Sequence, residues 1–241
     1  MARIPVTLAA RERIADATYA FSLRLGGPFP YKAGQTIDLT IPNPPHTDPS
    51  GNMRTFSIAC APGQERVLVA TRVRGSAFKR SLVELPLGAG LEIDGPFGSF
   101  TLPKKATDAV LLAGGIGITP FRAMAEEAIS RPADRTLTVI HSNRTPSEAP
   151  FLEELAAWAA RSGGRFRYVP TMTRGGAAAI PWAGETRRVG PALLAELLPA
   201  DRGAARYFVA GPEGFVKGAA GSLLELGVDE DLVTAEEFPG Y

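Results

Sequence analysis

The sequence is poor in cysteine and histidine, with one and two residues respectively among 241. A lone cysteine, Cys60, excludes a disulfide within the chain. It also excludes a cysteine-ligated iron–sulfur cluster, because such a cluster needs about four thiolates. The two histidines, His46 and His141, lie far apart and have no metal-ligand spacing. We therefore expect no metal site, and we expect Cys60 to be a small buried residue.

Long apolar runs and a large excess of charge are also lacking. No stretch reaches the roughly 18 apolar residues of a membrane span. Charged residues at 11–13 interrupt the first segment before a signal-like apolar core can form. The formal net charge of +1 gives no reason to expect nucleic acid as a partner. We expect a cytoplasmic, monomeric protein.

Two kinds of pattern follow one another along the chain. Up to about residue 100, short alternating segments such as Tyr19–Leu25 are separated by glycine and proline, which predicts a small antiparallel barrel. From about Thr107, strands alternate with helices, which predicts a parallel Rossmann-like sheet. The fold class is thus a two-domain β + α/β protein. The predicted domains are an antiparallel β-barrel over 1–104 and a parallel-sheet domain over 105–241.

Two segments carry local signals. The proline-rich residues 42–52 cannot form a regular element, so they predict a long loop. The run Thr145-Pro146-Ser147-Glu148 combines a capping threonine, a first-turn proline and a capping-box glutamate. It predicts that a helix begins there.

The most informative run is an apolar segment that enters glycines and ends in Thr-Pro. It predicts a buried strand that feeds a helix, with Gly114, Gly115 and Gly117 allowing a sharp turn and a close approach to a ligand. Thr119 is expected to cap the helix, and Pro120 suits its first turn. Unpaired N–H groups and the helix dipole favour a phosphate there. The third glycine of the usual fingerprint is absent, so a plain strand–helix turn remains the alternative.

Two further motifs precede this run: Arg54-Thr55-Phe56-Ser57-Ile58-Ala59 and Arg72-Val73-Arg74-Gly75-Ser76-Ala77-Phe78-Lys79. With the glycine turn and the tail 236–241, they give a chain that resembles the ferredoxin–NADP⁺ reductase superfamily of flavoproteins. The resemblance covers nearly the whole chain, and the motifs occur in the family's order. It implies FAD in the first domain and NADPH, or NADH, as the reductant.

The first of these motifs is the one that contacts flavin in the family. Arg54 offers a planar fork to the pyrophosphate, and Ser57 would lie near flavin N5, where the hydride arrives. Phe56 stands where family members usually carry tyrosine, so a hydrogen bond to the ribityl chain would be lost. The alternative is a surface arginine beside an ordinary strand. The cofactor-binding residues implied in this domain are Arg54, Thr55, Phe56, Ser57, Arg72, Val73, Gly75, Ser76, Ala77 and Phe78.

The second motif implies a turn and a helix start that receive the FAD phosphates. Backbone amides, the Ser76 hydroxyl and the helix dipole would supply the charge complementarity. By itself, a glycine-serine helix start is only a common cap. Lys79 and Arg80 either assist or form a solvated helix face.

The glycine turn implies the site of the NAD(P)H pyrophosphate, with Thr119 near the nicotinamide. No acid follows the next strand before Glu148. Instead Ser142, Arg144 and Arg174 stand after two neighbouring strands, and arginine accommodates a 2′-phosphate. We therefore expect NADPH over NADH. Solvated loop arginines are the alternative.

The last motifs lie near the end of the chain. Gly211 and Pro212 match the family's final nicotinamide-side motif, with alanine in place of the common cysteine before them. The resemblance implies that Phe238 or Tyr241 covers the flavin ring. Glu236 or Glu237 would relay protons, and we expect Ser57 and Glu237 as the catalytic residues. A frayed chain end is the alternative.

The function implied is an FAD-dependent oxidoreductase that moves a hydride from NAD(P)H to FAD and then single electrons to a separate acceptor. Ferredoxin, flavodoxin or an oxygenase component is the expected acceptor. One alternative is a reductase of a small acceptor such as free flavin, ferric chelate or quinone. Another, from a different class, is a flavin- or nucleotide-binding regulatory subunit that transfers no electrons.

Overall fold

The computed structural model describes residues 3–105, 107–130, 135–177 and 181–238. Two sheets follow one another along the chain, as the two sequence patterns predict. The boundary expected at residue 104 falls between the last strand of one sheet and the first strand of the other. The division into two domains at that point stays a prediction.

The first sheet is antiparallel. Its strands are β1 (Ile4–Ala15), β2 (Thr18–Leu25), β3 (Thr36–Thr40), β4 (Met53–Ser57), β5 (Arg66–Arg72) and β6 (Gly90–Phe97). They are ordered β4-β3-β6-β1-β2-β5. Just beyond β4, the Ala59 N–H donates to the Leu68 carbonyl at 2.8 Å, but in the described part of the chain β4 and β5 form no ladder. The predicted barrel is therefore a barrel-like sheet that stays open between β4 and β5.

The second sheet is parallel and has helices around it. Its strands are β7 (Asp108–Gly114), β8 (Leu137–Asn143), β9 (Phe166–Met172), β10 (Ala205–Gly211) and β11 (Val233–Glu237). The helices of the chain are α1 (Ala77–Glu84), α2 (Ile118–Ser130), α3 (Leu152–Arg161), α4 (Pro191–Leu197) and α5 (Glu213–Glu225). The strand order β11-β10-β7-β8-β9 reverses direction between β7 and β10. In sheets of this kind, ligands bind at the carboxyl end of such a switch point.

The prediction that a helix begins at Thr145–Glu148 is wrong. Residues Pro146–Glu148 form a single 3-10 turn, which the Ala149 N–H closes by donating to the Pro146 carbonyl at 3.1 Å. Pro150 follows, and the residue before a proline is driven out of the helical conformation. Helix α3 begins only at Leu152, and its cap, Phe151, has φ of +60°.

One apolar core extends across both sheets. The ring centroid of Phe100, from the connection between the sheets, lies 5.7 Å from that of Phe121 and 5.4 Å from that of Phe208. Cys60 is buried with its Sγ 3.2 Å from the Tyr31 hydroxyl, which confirms its predicted burial. Burial raises the pKa of this thiol. The Cys60 sulfur is therefore a packing group.

Within the four described ranges, no helix is both long enough and apolar enough to cross a bilayer. Over the same residues, no three or more His, Cys, Asp or Glu side chains come together in a way that could hold a metal ion.

Candidate functional site

Strand β4 carries the first motif and lies beside helix α1, which carries the second. Phe56 and Ser57 are buried at the end of the strand. Thr55 is exposed, and its hydroxyl donates to the Asp38 carboxylate on β3. The ring centroids of Phe56 and Phe78 are 6.0 Å apart. The two motifs, separated in the sequence, therefore form one surface.

Arg54 lies over the beginning of α1. Its guanidinium carbon is 5.4 Å from the centroid of the Phe78 ring. Its Nη1 donates to the carbonyls of Ser50 at 2.9 Å and Met53 at 2.6 Å, both in or next to the loop that precedes β4. Loop 42–52 is irregular, as predicted. Arg54 thus connects that loop to the helix start.

The start of α1 has the donors and the charge that a pyrophosphate requires. The Ser76 side chain caps the helix by accepting from the Lys79 N–H at 3.4 Å, and Gly75 has φ of +43°, which favours glycine. Lys79 is half-buried, and its pKa is lowered by burial and then by the neighbouring charges of Arg54 and Arg74. Three cations at one helix N-terminus fit a diphosphate group such as that of FAD.

The glycine turn at the end of β7 packs tightly against the end of β10. A Cβ on Gly114 would lie 2.7 Å from the Phe215 ring, and one on Gly117 would lie 2.3 Å from the Ala210 carbonyl oxygen. Gly211 has φ of +151°, and its Cβ would lie 3.0 Å from the Gly114 carbonyl oxygen. Gly114 is thus required by the Phe215 ring of α5, and Gly117 and Gly211 are required by the close approach of the ends of β7 and β10.

Gly115 differs from the other glycines of the turn. Its φ is +55°, a left-handed conformation, and a Cβ there would meet nothing within 4 Å. The turn therefore leaves an open space over Gly115. The plain-turn alternative accounts for Gly114 and Gly117, whereas the space over Gly115 fits a ligand.

The predicted capping role of Thr119 is wrong. A 3-10 turn over Gly115–Gly117 leads directly into α2, which begins at Ile118. Thr119 lies inside the first helical turn, and its hydroxyl donates to the Ile116 carbonyl at 3.1 Å. The 3-10 turn supplies backbone bonds at the helix start, so no side-chain cap is used. Pro120 lies in the first turn, as predicted.

A buried histidine supports the glycine turn from behind. His141, at 0% exposure, has Nε2 2.8 Å from the Gly115 carbonyl and Nδ1 2.8 Å from the Tyr168 hydroxyl. Burial lowers the pKa of His141 to about 4, so the ring is neutral near pH 7. Since a carbonyl only accepts, Nε2–H donates to Gly115, and Nδ1 accepts from Tyr168. This pair fixes the orientation of the Gly115 carbonyl.

A cleft of about 340 Å³ lies between the end of β5 and the carboxyl edge of the parallel sheet. Its walls include Thr18, Arg72 and Arg74 from the first half of the chain, with Gly114–Ile116, Ser142–Arg144, Thr173, Pro212 and Phe215 from the second. Residues predicted to bind FAD and residues predicted to bind NAD(P)H therefore line the same cleft. Pro212 also caps α5 there.

Arg72 forms an ion pair in the wall of this cleft. Its Nη2 lies 2.7 Å from Oε1 of Glu148, which joins the end of β5 to the turn after β8. Its neighbour Val73 uses its N–H within the first half, donating to the Ala17 carbonyl at 2.7 Å. The predicted helix-start glutamate thus has another role, as the ion-pair partner of Arg72.

Two buried donors in the cleft have no hydrogen-bond partner among the described residues. They are Nε of Arg72 and Nδ2 of Asn143, and Asn143 is only 7% exposed. An unmade hydrogen bond of a buried donor costs roughly 1–3 kcal/mol. Both atoms are fully buried in residues of the cleft wall, so an acceptor-rich ligand such as a dinucleotide would pair them only after a shift of the side chains.

The residues expected to recognise a 2′-phosphate meet at one edge of the sheet. The Arg174 N–H donates to the Arg144 carbonyl at 2.8 Å, and both side chains are exposed. Ser142 is half-buried and is the register neighbour of Gly114. Ser142 and Arg144 thus line the cleft beside the glycine turn, whereas Arg174 is joined to it through the backbone of Arg144. Their selectivity stays a prediction.

The end of the chain reaches the same edge of the sheet. Strand β11 runs parallel to β10, with Glu237 opposite Gly211, and the Phe238 N–H donates to the Gly211 carbonyl at 2.9 Å. Phe238 is half-buried against the main core. Glu237 is exposed, whereas burial raises the pKa of Glu236, whose Oε2 is buried without a partner among the described residues. Tyr241, the other predicted ring cover, lies outside the described residues.

Several residues of the site were not selected from the sequence. Asn143 stands between Ser142 and Arg144 at a strand end, and that position was a usable signal. His141 ends the predicted strand, but its partner Tyr168 comes from the next strand, and no sequence signal joins them. Thr18 lines the cleft because the fold brings the start of β2 there, and no sequence signal indicates this.

Known proteins that are similar to this chain are oxidoreductases. Residues 111–221 match the family model of the oxidoreductase NAD-binding domain. A ferredoxin–NADP reductase B of Sorangium cellulosum is 36% identical over 66% of this chain and 63% of its own length. The reductase subunit of a glycine betaine monooxygenase from Chromohalobacter salexigens is 30% identical over 87% of this chain and 56% of its own length. The chain thus spans less than two thirds of these two curated relatives.

A solved structure shows the same fold. The ferredoxin NADP⁺ reductase of Neisseria gonorrhoeae, with bound FAD and NADP, superposes with a TM-score of 0.79 at 22% identity. The alignment covers 98% of each chain. Both halves of the fold described above are therefore shared with that protein.

Proposed function

Because the chain belongs to the ferredoxin–NADP⁺ reductase-like superfamily of FAD- and NAD(P)-binding proteins, we propose that it is an FAD-dependent oxidoreductase. It takes a hydride from NAD(P)H and passes electrons singly to a separate acceptor, such as ferredoxin, flavodoxin or an oxygenase component. The observation that carries the proposal is the cleft in which Arg72 and Arg74 face the glycine turn Gly114–Ile116. The first half of the chain supplies the flavin surface, and the second half supplies the nucleotide turn.

The surface formed by β4 and α1 is the proposed FAD site, within a domain of residues 1–104. Arg54, Ser76 and the first amides of α1 hold the two phosphates, with Arg74 and Lys79 adding charge. Phe56 packs inward against Phe78 and supports the surface. Bound FAD supplies a hydride acceptor that can release electrons one at a time.

The cleft is the proposed NAD(P)H site, within a domain of residues 105–241. The space over Gly115 would admit the pyrophosphate, and a shift of the Asn143 and Arg72 side chains on binding would let Nδ2 and Nε donate to its acceptors. Arg144 and Arg174 favour a 2′-phosphate, so NADPH is the preferred reductant. A site that holds NAD(P)H against FAD replaces a random encounter in solution by a fixed contact. Such positioning supplies a large part of the rate enhancement.

Ser57 and the end of the chain complete the proposed reaction site. Ser57 is a buried hydroxyl at the end of β4 and would lie beside the flavin ring. Of the two glutamates, Glu236 has a pKa raised by burial, which suits a proton donor, and Glu237 is exposed to solvent. Phe238, which lies beside Gly211, is the residue proposed to cover the flavin ring.

Reduction of the flavin by NADPH is the direct test of this function. We expect purified protein to be yellow, and its visible absorbance to bleach on anaerobic titration with NADPH. Reoxidation by ferredoxin, flavodoxin or a ferric chelate, compared in parallel, separates a protein acceptor from a small one. A flavin that stays oxidised would instead indicate the regulatory subunit.

Arg54→Ala tests the cofactor site itself. The substitution removes a charged hydrogen-bond donor, so we expect the dissociation constant of FAD to rise roughly tenfold or more. Arg80→Ala, an exposed arginine on the same helix, is the matched control and should leave the constant unchanged. Equal FAD affinity in Arg54→Ala and wild type would contradict the assignment.

A further inference from the structure

A carboxylate of the chain itself lies at the N-terminus of α1. Oδ2 of Asp48 accepts from the Ala77 N–H at 2.9 Å, the first amide of the helix. Its Oδ1 accepts from the Ser50 N–H at 2.9 Å and lies 3.5 Å from Nη2 of Arg54. Asp48 therefore binds both an amide and a cation that the proposed function gives to a phosphate.

The chemistry of this position is the chemistry of a phosphate subsite. A helix N-terminal amide with an arginine beside it accepts carboxylates and phosphates alike. These contacts lower the pKa of Asp48, first through the Ala77 amide, so the group is an anion near neutral pH. Arg54, Arg74 and Lys79 lie close enough to one another to lower the pKa of Lys79. A diphosphate brings two negative charges to these cations, whereas Asp48 brings one.

The loop that carries Asp48 has a second, separate attachment to α1. The His46 N–H donates to Oγ of Ser81 at 2.9 Å, and the Ser81 hydroxyl donates back to the His46 carbonyl at 3.1 Å. Nε2 of His46 lies 2.6 Å from a carboxylate oxygen of Glu84, one helical turn further on. The contacts of His46 can therefore keep the loop attached to α1 when the contacts of Asp48 break.

We propose that Asp48 occupies the position of a cofactor phosphate, so that flavin binding exchanges this carboxylate for a phosphate and Asp48 sets the affinity for FAD. The inference rests on the proposed function. Two anions cannot share the Ala77 amide without strong repulsion, so the carboxylate leaves when the phosphate arrives. In the protein without cofactor, the same carboxylate neutralises Arg54 and caps the helix.

The test compares three ligands on cofactor-free protein: FAD, ADP and riboflavin. In Asp48→Asn the side-chain oxygen still accepts from the Ala77 N–H but carries no charge. We expect the dissociation constants of FAD and ADP to fall roughly tenfold, because the competing anion is gone. The constant of riboflavin, which has no phosphate, should not change. The melting temperature of the cofactor-free variant should fall, opposite in direction to the gain in affinity.

Two further variants keep the result interpretable. Asp201→Asn is the matched control, because Asp201 also accepts from a backbone N–H, that of Gly203, but lies in the second half of the chain. It should leave all three constants unchanged. Asp48→Ser supplies a neutral acceptor at the same amide if Asp48→Asn does not fold, and it should show the same gain.

The possible failures are distinguishable. Wild-type protein that binds neither FAD nor riboflavin overturns the proposed function and this inference with it. Wild-type protein that binds FAD, together with folded Asp48 variants that bind it equally or more weakly, overturns the inference alone. In that case Asp48 positions Arg54 for the cofactor and does not compete with it.

Discussion

Nη1 of Arg122 lies 2.5 Å from the carbonyl oxygen of Ala59. Ala59 follows β4 by two residues, and Arg122 lies near the start of α2, so this bond joins the proposed flavin strand to the helix that begins at the glycine turn. The same guanidinium makes two bonds to Glu154, at 2.6 and 2.8 Å. It also lies 4.9 Å from the ring centroids of Phe151 and Trp158. One buried cation thus holds the two halves of the site together.

Removal of this cation should cost much of the stability of the fold. Arg122→Met leaves the Ala59 carbonyl, the Glu126 carboxylate and the part-exposed Glu154 carboxylate without this partner, and we expect a loss of roughly 1–3 kcal/mol. The free energy of unfolding in urea measures it. Arg3→Ala, which breaks the exposed pair with Glu92, is the control and should cost about 0–1 kcal/mol. Similar losses in both variants would show that Arg122 contributes no more than a surface charge.

Acid should destabilise the protein through His141. The folded state lowers the pKa of His141 from 6.5 to about 4. Between these values the unfolded chain binds a proton that the folded chain does not, so the free energy of unfolding falls as pH decreases from about 6.5 to about 4. The loss for one group is about 1.4 kcal/mol per pH unit, or about 3 kcal/mol over the window. Above pH 6.5 this contribution is fully present.

The measurement is the free energy of unfolding in urea at several pH values across that window. His141→Gln removes the titrating group and should flatten the dependence. His46→Gln, at the surface beside Glu84, is the control and should keep it. An unaltered slope in His141→Gln would assign the acid sensitivity to other groups.

Glu148→Gln should strengthen the binding of NADP⁺. The cleft is lined by Arg72, Arg74 and Arg144, and Glu148 is the carboxylate that neutralises Arg72. Without its charge we expect the dissociation constant of NADP⁺ to fall roughly threefold to tenfold at low salt, with a smaller gain at high salt because ions screen the cleft. Calorimetric titration at two salt concentrations measures both effects.

Glu153→Gln is the control for that variant, since Glu153 is exposed on α3. It should leave the binding of NADP⁺ unchanged. Weaker binding in Glu148→Gln would mean that the Arg72–Glu148 pair shapes the cleft and that the charge of Glu148 matters less than its contact.

Arg144→Ala should change the KM for NADPH and the KM for NADH to different extents. If Arg144 contacts a 2′-phosphate, the KM for NADPH rises roughly tenfold, by the loss of a charged hydrogen bond, while the KM for NADH stays nearly constant. Arg174→Ala should act in the same direction, since its backbone is bonded to Arg144. Steady-state rates with both coenzymes give the comparison. An equal rise for both coenzymes would show that neither arginine selects between them.

The sequence predicts the fold well where the signal is local and repeated. The alternation along β2 and the buried run of β7 give their strands almost to the residue. Glycine and proline place the turn after β7 and the start of α5. Prediction fails at Thr145–Glu148 and at Thr119, where capping chemistry competes with Pro150 and with a 3-10 turn, respectively. Both failures concern helix starts, where one backbone bond decides between two geometries.

The candidate site is only partly readable from the sequence because its contacts are long-range. Arg54, Ser57 and the glycines are found from motifs. The pairing of Arg72 with Glu148, the support of Gly115 by His141, and the position of Asp48 over Ala77 each join residues from different elements. Nothing in the spacing of these residues along the chain shows that they meet.

The packing of Gly114 against Phe215 and of Gly117 against Ala210 has a consequence for redesign of the coenzyme preference. At these positions the floor of the cleft is main chain, so its shape cannot be tuned by exchanging side chains there. Libraries aimed at NADH or at a nicotinamide analogue should leave the floor constant and vary its rim at Ser142, Arg144 and Arg174. Alanine at Gly117 is expected to press against the main chain of β10, and alanine at Gly114 against the Phe215 ring of α5. Either change should abolish activity with both coenzymes at once.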